Sequence, residues 1–173
     1  MTRVHGFAPI AAAEANATLL ILGSMPGQAS LAAGQYYAHP QNAFWRILAE
    51  LLGFDAGSAY ATRVAALQAA QIALWDVLHS CARVGSLDAG IERATVVAND
   101  FPAFFRQHPG ITRVFFNGAT AEACFRRHAL PSIDTPNIRY ARLPSTSPTH
   151  ATISYAEKLA AWRAAIRPAS ADF

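Results

Sequence analysis

The chain has 173 residues, 53% hydrophobic and 14% charged, with 14 basic side chains against 11 acidic ones for a net charge of +3. That composition excludes intrinsic disorder, and the length suits one domain over residues 1–173 with a true core. Two cysteines, Cys81 and Cys124, are too few for a thiolate metal cluster, and no apolar run reaches the roughly 18 residues of a membrane span.

The opening segment "MTRVHGFAPIAAAEANA" lacks the continuous apolar stretch of a signal peptide, so a cytoplasmic location is expected. In that compartment both cysteines are expected to be reduced, as small buried hydrophobes. Thirteen of the fourteen basic residues are arginine, with Lys158 the only lysine. The basic balance suits a phosphate-bearing partner, although an Arg- and Ala-rich chain also follows from GC-rich coding.

In chain order, "ATLLILG" (17–23) is a short apolar run closed by glycine, the pattern of a buried parallel strand. "NAFWRILAELL" (42–52) repeats apolar residues at 44, 45, 48, 51 and 52 and stops at Gly53, which predicts a helix. "QIALWDVL" (71–78) is a second buried strand, running into a polar "HSCARVGS". "NDFPAFFRQH" (99–108) is a short helix capped by Asn99 or Asp100. "TRVFFNG" (112–118) is a third strand and "ATAEACFRRH" (119–128) a helix returning over the sheet. "IRYARLP" (138–144) alternates best, which places it nearer an edge. Ser154 and Glu157 form a capping box opening a last helix with Tyr155, Leu159, Trp162 and Ile166 as its stripe, and Lys158 on its solvated side.

This alternation predicts an α/β fold: a three-layer αβα sandwich around a central, mostly parallel four-stranded sheet. Ligands of such sheets bind beyond the C-terminal strand ends. There the chain carries Gly23–Gly27, Asp76 and His79, Asn117, and "PSTSPTH" (144–150). These four places should meet in one cavity.

"GSMPG", "YYAHPQNAFW", "ALWDVL", "FFNG" and "LPSTSP", in that order, resemble the uracil-DNA glycosylase superfamily, over nearly the whole chain from about Gly6 to Ile166. The branch most similar is that of hypoxanthine-DNA (deoxyinosine) glycosylases, with mismatch-specific uracil/thymine glycosylases as near relatives. The resemblance implies a DNA glycosylase of base-excision repair that flips a deaminated base out of DNA and hydrolyses its glycosidic bond. Departures are also clear. Met25 stands where the mismatch-specific relatives place a water-positioning Asn ("GINPG"), and Leu143 where the uracil-specific enzymes place the His of "HPSPLS". The "QDPYH" aspartate is missing too.

In the hypoxanthine branch the resemblance implies that Asn42 orients the attacking water, while as a residue it would equally serve as the cap of the 43–52 helix. Tyr37 occupies the place of the ring that stacks on the flipped base, with Tyr36 as a spacer. Asp76 aligns with a base-edge reader, or it assists the sugar cation; both roles stay open. Asn117 would donate to the base, and Ser24, Met25 and Gly27 would bind it too, the backbone N–H groups of Met25 and Gly27 holding the base edge or the water. Ser145, Thr146 and Ser147 suit a phosphate clamp, with Thr149 and His150 as candidate wedges. His39 is expected to bond the loop backbone. His5, His79, His108 and His128 have no metal-ligand spacing. Neither a metal nor another cofactor is expected, and the partner is DNA, met by a monomer. A lone lysine predicts a monofunctional enzyme, because strand cleavage needs an amine for a Schiff base. A uracil- or mismatch-directed glycosylase and a non-catalytic nucleic-acid-binding module on the same scaffold are the rival readings.

Overall fold

Four strands form the central sheet of the computed structural model, which describes residues 2–12 and 14–167. They are β2 (Leu19–Gly23), β3 (Ile72–Asp76), β6 (Arg113–Asn117) and β7 (Arg139–Leu143), in the order β3-β2-β6-β7 and all parallel. The best-alternating segment, β7, is an edge strand. Central strand β2 is wholly buried because both its faces are covered, hence its unbroken apolar run.

Side chains alternate between two cores. Leu20, Leu22, Ala73, Trp75, Val114 and Phe116 face one side, where α4 (Phe101–Gln107) and α5 (Ala119–His128) supply Phe101, Phe104 and Phe125. Leu19, Ile21, Ile72, Leu74 and Phe115 face the other. That layer holds α2 (Phe44–Leu52), α3 (Tyr60–Ala69) and α6 (Tyr155–Ile166), with Phe44, Leu48, Leu67 and Trp162 fully buried. This is the three-layer αβα sandwich. A further short helix, α1 (Gln28–Ala33), follows the turn after β2.

Two local details sharpen the expectations. Asp100 caps α4 through its Oδ1, which accepts from the Ala103 N–H, while Asn99 instead donates its side-chain amide to the Asp76 carbonyl. The Ser154–Glu157 capping box forms with both reciprocal bonds.

One expectation fails around residue 78. The strand does not run from 71 to 78 and give way to a polar loop: β3 stops at Asp76, and Leu78–Arg83 is a separate strand, β4. It pairs antiparallel with β1 (Thr2–His5) and β5 (Val97–Ala98) in a second, three-stranded sheet. "HSCAR" reads as polar, yet Ser80 and Arg83 are buried, because Arg3 donates to Ser80 Oγ and Arg83 donates to the Pro26 carbonyl. His79 is consequently exposed on that strand, edge-on to His5, and does not join the strand-end cluster.

Lys158 is the second correction. It is only 6% exposed, because it lies at i, i+4 and i+8 with Trp162 and Ile166 on the buried face of α6, and its Nζ donates to the Ser147 carbonyl at 3.3 Å. Its charge reaches the loop backbone past the apolar layer. Cys81 is buried and Cys124 half-buried, both as free thiols.

Candidate active site

Beyond the C-terminal ends of β2, β3, β6 and β7 lies one cavity of about 760 Å³. Twelve of the residues singled out in the sequence line it, though not His79: Ser24, Met25, Gly27, Tyr37, Asn42, Asp76, Asn117, Ser145, Thr146, Ser147, Thr149 and His150. Its floor is set by backbone bonds between the turn after β2 and the chain after β3, where Val77 donates to the Gly23 carbonyl and Leu78 to the Ser24 carbonyl. These bonds press Asp76 against Gly23.

The contact there is close. A Cβ on Gly23 would fall onto Asp76 Oδ1 and come within 2.8 Å of the Tyr37 hydroxyl. Gly23→Ala is therefore expected to destabilise the fold by about 1–3 kcal/mol and to displace both polar groups, read as a lowered melting temperature together with lost turnover.

Asp76 is 4% exposed, and its Oδ2 has no hydrogen-bond partner among the described residues. Burial pushes its pKa up to about 7; the negative charge of Asp88 adds to the rise and the Arg83 guanidinium opposes it. A carboxyl poised near neutrality is suited to giving and taking a proton.

Tyr37 adopts a left-handed backbone with φ +53, uncommon for a bulky side chain. Its ring stacks on Phe44 with centroids 4.1 Å apart. Its buried hydroxyl also has no partner among the described residues, and burial followed by the Asp76 charge raises its pKa, with the Asn117 amide opposing. Tyr36 is the spacer the sequence suggests: its hydroxyl donates to the Ala8 carbonyl and its own carbonyl accepts from the Trp45 indole.

Asn42 precedes α2, whose first residue is Phe44. Its Oδ1 accepts from the Phe44 N–H at 3.0 Å, so it does cap-like work from outside the helix while lining the cavity. That bond fixes which side-chain atom is oxygen. One Oδ1 lone pair and both Nδ2 hydrogens remain beyond that bond. His39 bonds the loop as expected, its Nδ1 accepting from the Gln41 N–H.

Asn117 is braced by the opposite loop. Its Oδ1 accepts from the Thr146 N–H and its Nδ2 donates to Thr146 Oγ1, both at 2.9 Å. Thr146 is 1% exposed, and its carbonyl also accepts from Ala43. Its hydroxyl therefore holds Asn117 rather than standing free for a phosphate, whereas half-buried Ser145 accepts from the Ser147 N–H through its Oγ and keeps its hydroxyl hydrogen, and the bonded Ser147–Thr149 hydroxyl pair keeps one.

Asp88 is the residue the sequence did not single out. It lines the cavity, and its Oδ1 accepts from Ser24 Oγ at 2.7 Å; burial raises its pKa while Ser24 and Arg83 lower it. Ser24 thus orients Asp88. The partnership spans 64 residues, and "GSLDAG" looks like an ordinary turn in sequence.

Comparison with known proteins agrees with this architecture. The sequence model described as "Uracil DNA glycosylase superfamily" matches residues 11–167. A hypoxanthine DNA glycosylase of Methanosarcina barkeri is 40% identical over 115 residues, covering 66% of this chain and 70% of that protein. Its counterpart in Methanosarcina acetivorans is 35% identical over 109 residues, covering 62% and 68%. The solution NMR structure of a Methanosarcina acetivorans protein provisionally assigned as a uracil DNA glycosylase superposes with a TM-score of 0.76. It is 29% identical, with 96% of this chain and 98% of that one covered. With a matched family spanning nearly all described residues, relatives named hypoxanthine DNA glycosylases, and a strand-end cavity where the four strand ends meet without His79, the chain belongs to the uracil DNA glycosylase superfamily and is a DNA glycosylase.

Proposed function

We propose that this enzyme excises hypoxanthine, and xanthine as a second deaminated purine, from DNA. It works as a cytoplasmic, monomeric, monofunctional glycosylase of one domain. The observation that carries the reading is the pair of buried groups without a hydrogen-bond partner among the described residues, Asp76 Oδ2 and the Tyr37 hydroxyl, on two residues that line one cavity with Asn42 and Asn117. Buried polar groups without partners are costly, and a base edge satisfies them. The hypoxanthine DNA glycosylases similar to it act on the same class of lesion.

Flipping a base out of the stack costs a few kcal/mol, offset here by stacking on the Tyr37 face turned away from Phe44. Asn117 offers its remaining amide hydrogen to O6. Protonated Asp76 donates to N7 as the C1′–N9 bond breaks, so that the bonding pair leaves on a neutral base. Asn42 holds a water against C1′ of the resulting sugar cation. The water's oxygen bonds C1′, and its released proton restores Asp76 to the acid. Ser145, Ser147, Thr149 and His150 hold the flanking phosphates. Lys158, committed to the Ser147 carbonyl, does not line the cavity, which supports hydrolysis without a Schiff base. The N-terminal amine, the other group of this chain able to form one, lies outside the described residues.

The test is a panel of duplexes carrying inosine, xanthine, uracil or a thymine mismatch, scored for strand breaks with and without alkali. Inosine should be released fastest, and breaks should appear only after alkali. Preferred release of uracil overturns the base assignment, as does binding without release, and borohydride-trapped enzyme overturns the monofunctional reading. In the same assay, log binding constant should fall linearly with log salt, by about 0.9 for each phosphate contacted. A flat response contradicts the clamp.

A further inference from the structure

Val84, Leu87 and Val97 are the large hydrophobic side chains most exposed among the described residues, and Leu87, 56% exposed, also lines the active cavity. Its two sequence neighbours are both tied down. Ser86 Oγ accepts from the Gln28 N–H at 3.0 Å, and Asp88 Oδ1 accepts from Ser24 Oγ at 2.7 Å. The turn is closed behind them, with Gly90 donating to the Leu87 carbonyl and Val84 to the Gly90 carbonyl, around Gly85 at φ +70. The segment is thus fastened on both sides of Leu87 to the turn after β2 and the start of α1, while the leucine side chain stands in solvent with its exposed neighbours Ser86 and Ala89 and with Val84, 64% exposed. An isolated surface leucine needs no explanation. A leucine held at the rim of a base-sized cavity by two flanking hydrogen bonds does.

The other loop that lines this cavity and carries candidate wedges is built differently. In the Ser145–His150 loop, Thr149 turns its hydroxyl back onto Ser147 Oγ at 2.8 Å, and the His150 N–H is spent on the Ser147 carbonyl. Its tip offers short polar groups suited to phosphate, with Pro148 as its exposed apolar atom cluster.

We propose that Leu87 is the wedge of this glycosylase: its side chain enters the duplex and fills the gap left by the flipped nucleotide. Apolar side chains that enter base steps lose their water and hold the stack open. The inference rests on the enzyme's action on duplex DNA but not on which base it removes.

The experiment therefore uses a duplex with a tetrahydrofuran abasic site, an adjacent 2-aminopurine, and an intact duplex as control. Wild-type protein should prefer the abasic duplex and change the 2-aminopurine fluorescence on binding. L87A should lose about tenfold of that preference and the fluorescence change, L87M should retain both, and the melting temperature of each should stay at the wild-type value. Loss in P148A or T149A with L87A unaffected puts the wedge on the other loop and overturns the proposal; an abasic preference unchanged in L87A does the same. A wild-type protein with no abasic preference fails the glycosylase reading itself, and the wedge with it, which separates that outcome from a wedge misplaced on Leu87.

Discussion

Asn42→Ala should slow release of hypoxanthine from an inosine duplex by about 10²–10³-fold, measured in single turnover, the range seen when one preorganised polar contact to a reacting centre is removed. The protein should remain folded. Two tasks meet in this side chain, and they differ in size. As the acceptor for the Phe44 N–H it contributes about 1 kcal/mol, a shift of a few degrees in melting temperature. As the group that holds water against C1′ it would set the rate. Asn42→Asp separates them, because aspartate keeps the acceptor for Phe44 and loses the amide donors. Aspartate should therefore restore the melting temperature without restoring turnover. Wild-type turnover by the alanine variant makes Asn42 a helix cap and nothing more. An amide is too weak a base to take a proton, so this assignment also requires that the acid–base work be done elsewhere, and Asp76 is the group placed for it.

The sequence is informative about this site wherever the signal is local. Helix α5 has the bounds its residues suggest, and the Ser154–Glu157 box forms, because capping and a 3.6-residue period are decided by near neighbours. The strand ends meet because parallel strands joined by helices can only deliver their C-termini to one edge. What the residues did not reveal depends on long-range partners. Arg83 and Ser80 look like loop residues until the Pro26 carbonyl and Arg3 are in place. Lys158 looks like surface until α6 is seen to bury the stripe it shares with Trp162. Asp88 becomes a site residue only through Ser24, which lies 64 positions earlier. Thr146, grouped with its hydroxylated neighbours by composition, is claimed by Asn117 because β6 and the loop after β7 end side by side.

Asp76→Asn should abolish nearly all excision, about 10²–10⁴-fold, and yet give a more stable protein at pH 8. An aspartate that titrates at its ordinary 3.8 when unfolded and at about 7 in the native cavity binds more protons in the folded state between those values. The wild type should therefore lose stability as pH rises from about 4 to about 7 and hold the lower level above that, with the burial of Asp76 costing on the order of 4 kcal/mol at pH 8. Asparagine is neutral throughout, so its melting temperature should be flat where the wild type's falls. Activity supplies the second readout. If the protonated carboxyl gives its proton to the departing purine, the wild-type rate falls as pH rises through about 7, and Asp88→Asn moves that fall to lower pH by removing the negative charge that helps hold the proton on Asp76. A rate that climbs through the same range instead assigns Asp76 to the sugar cation as an anion. An asparagine variant no more stable than wild type at pH 8 shows that the carboxylate finds a partner in the cavity and that the native enzyme does not store this strain.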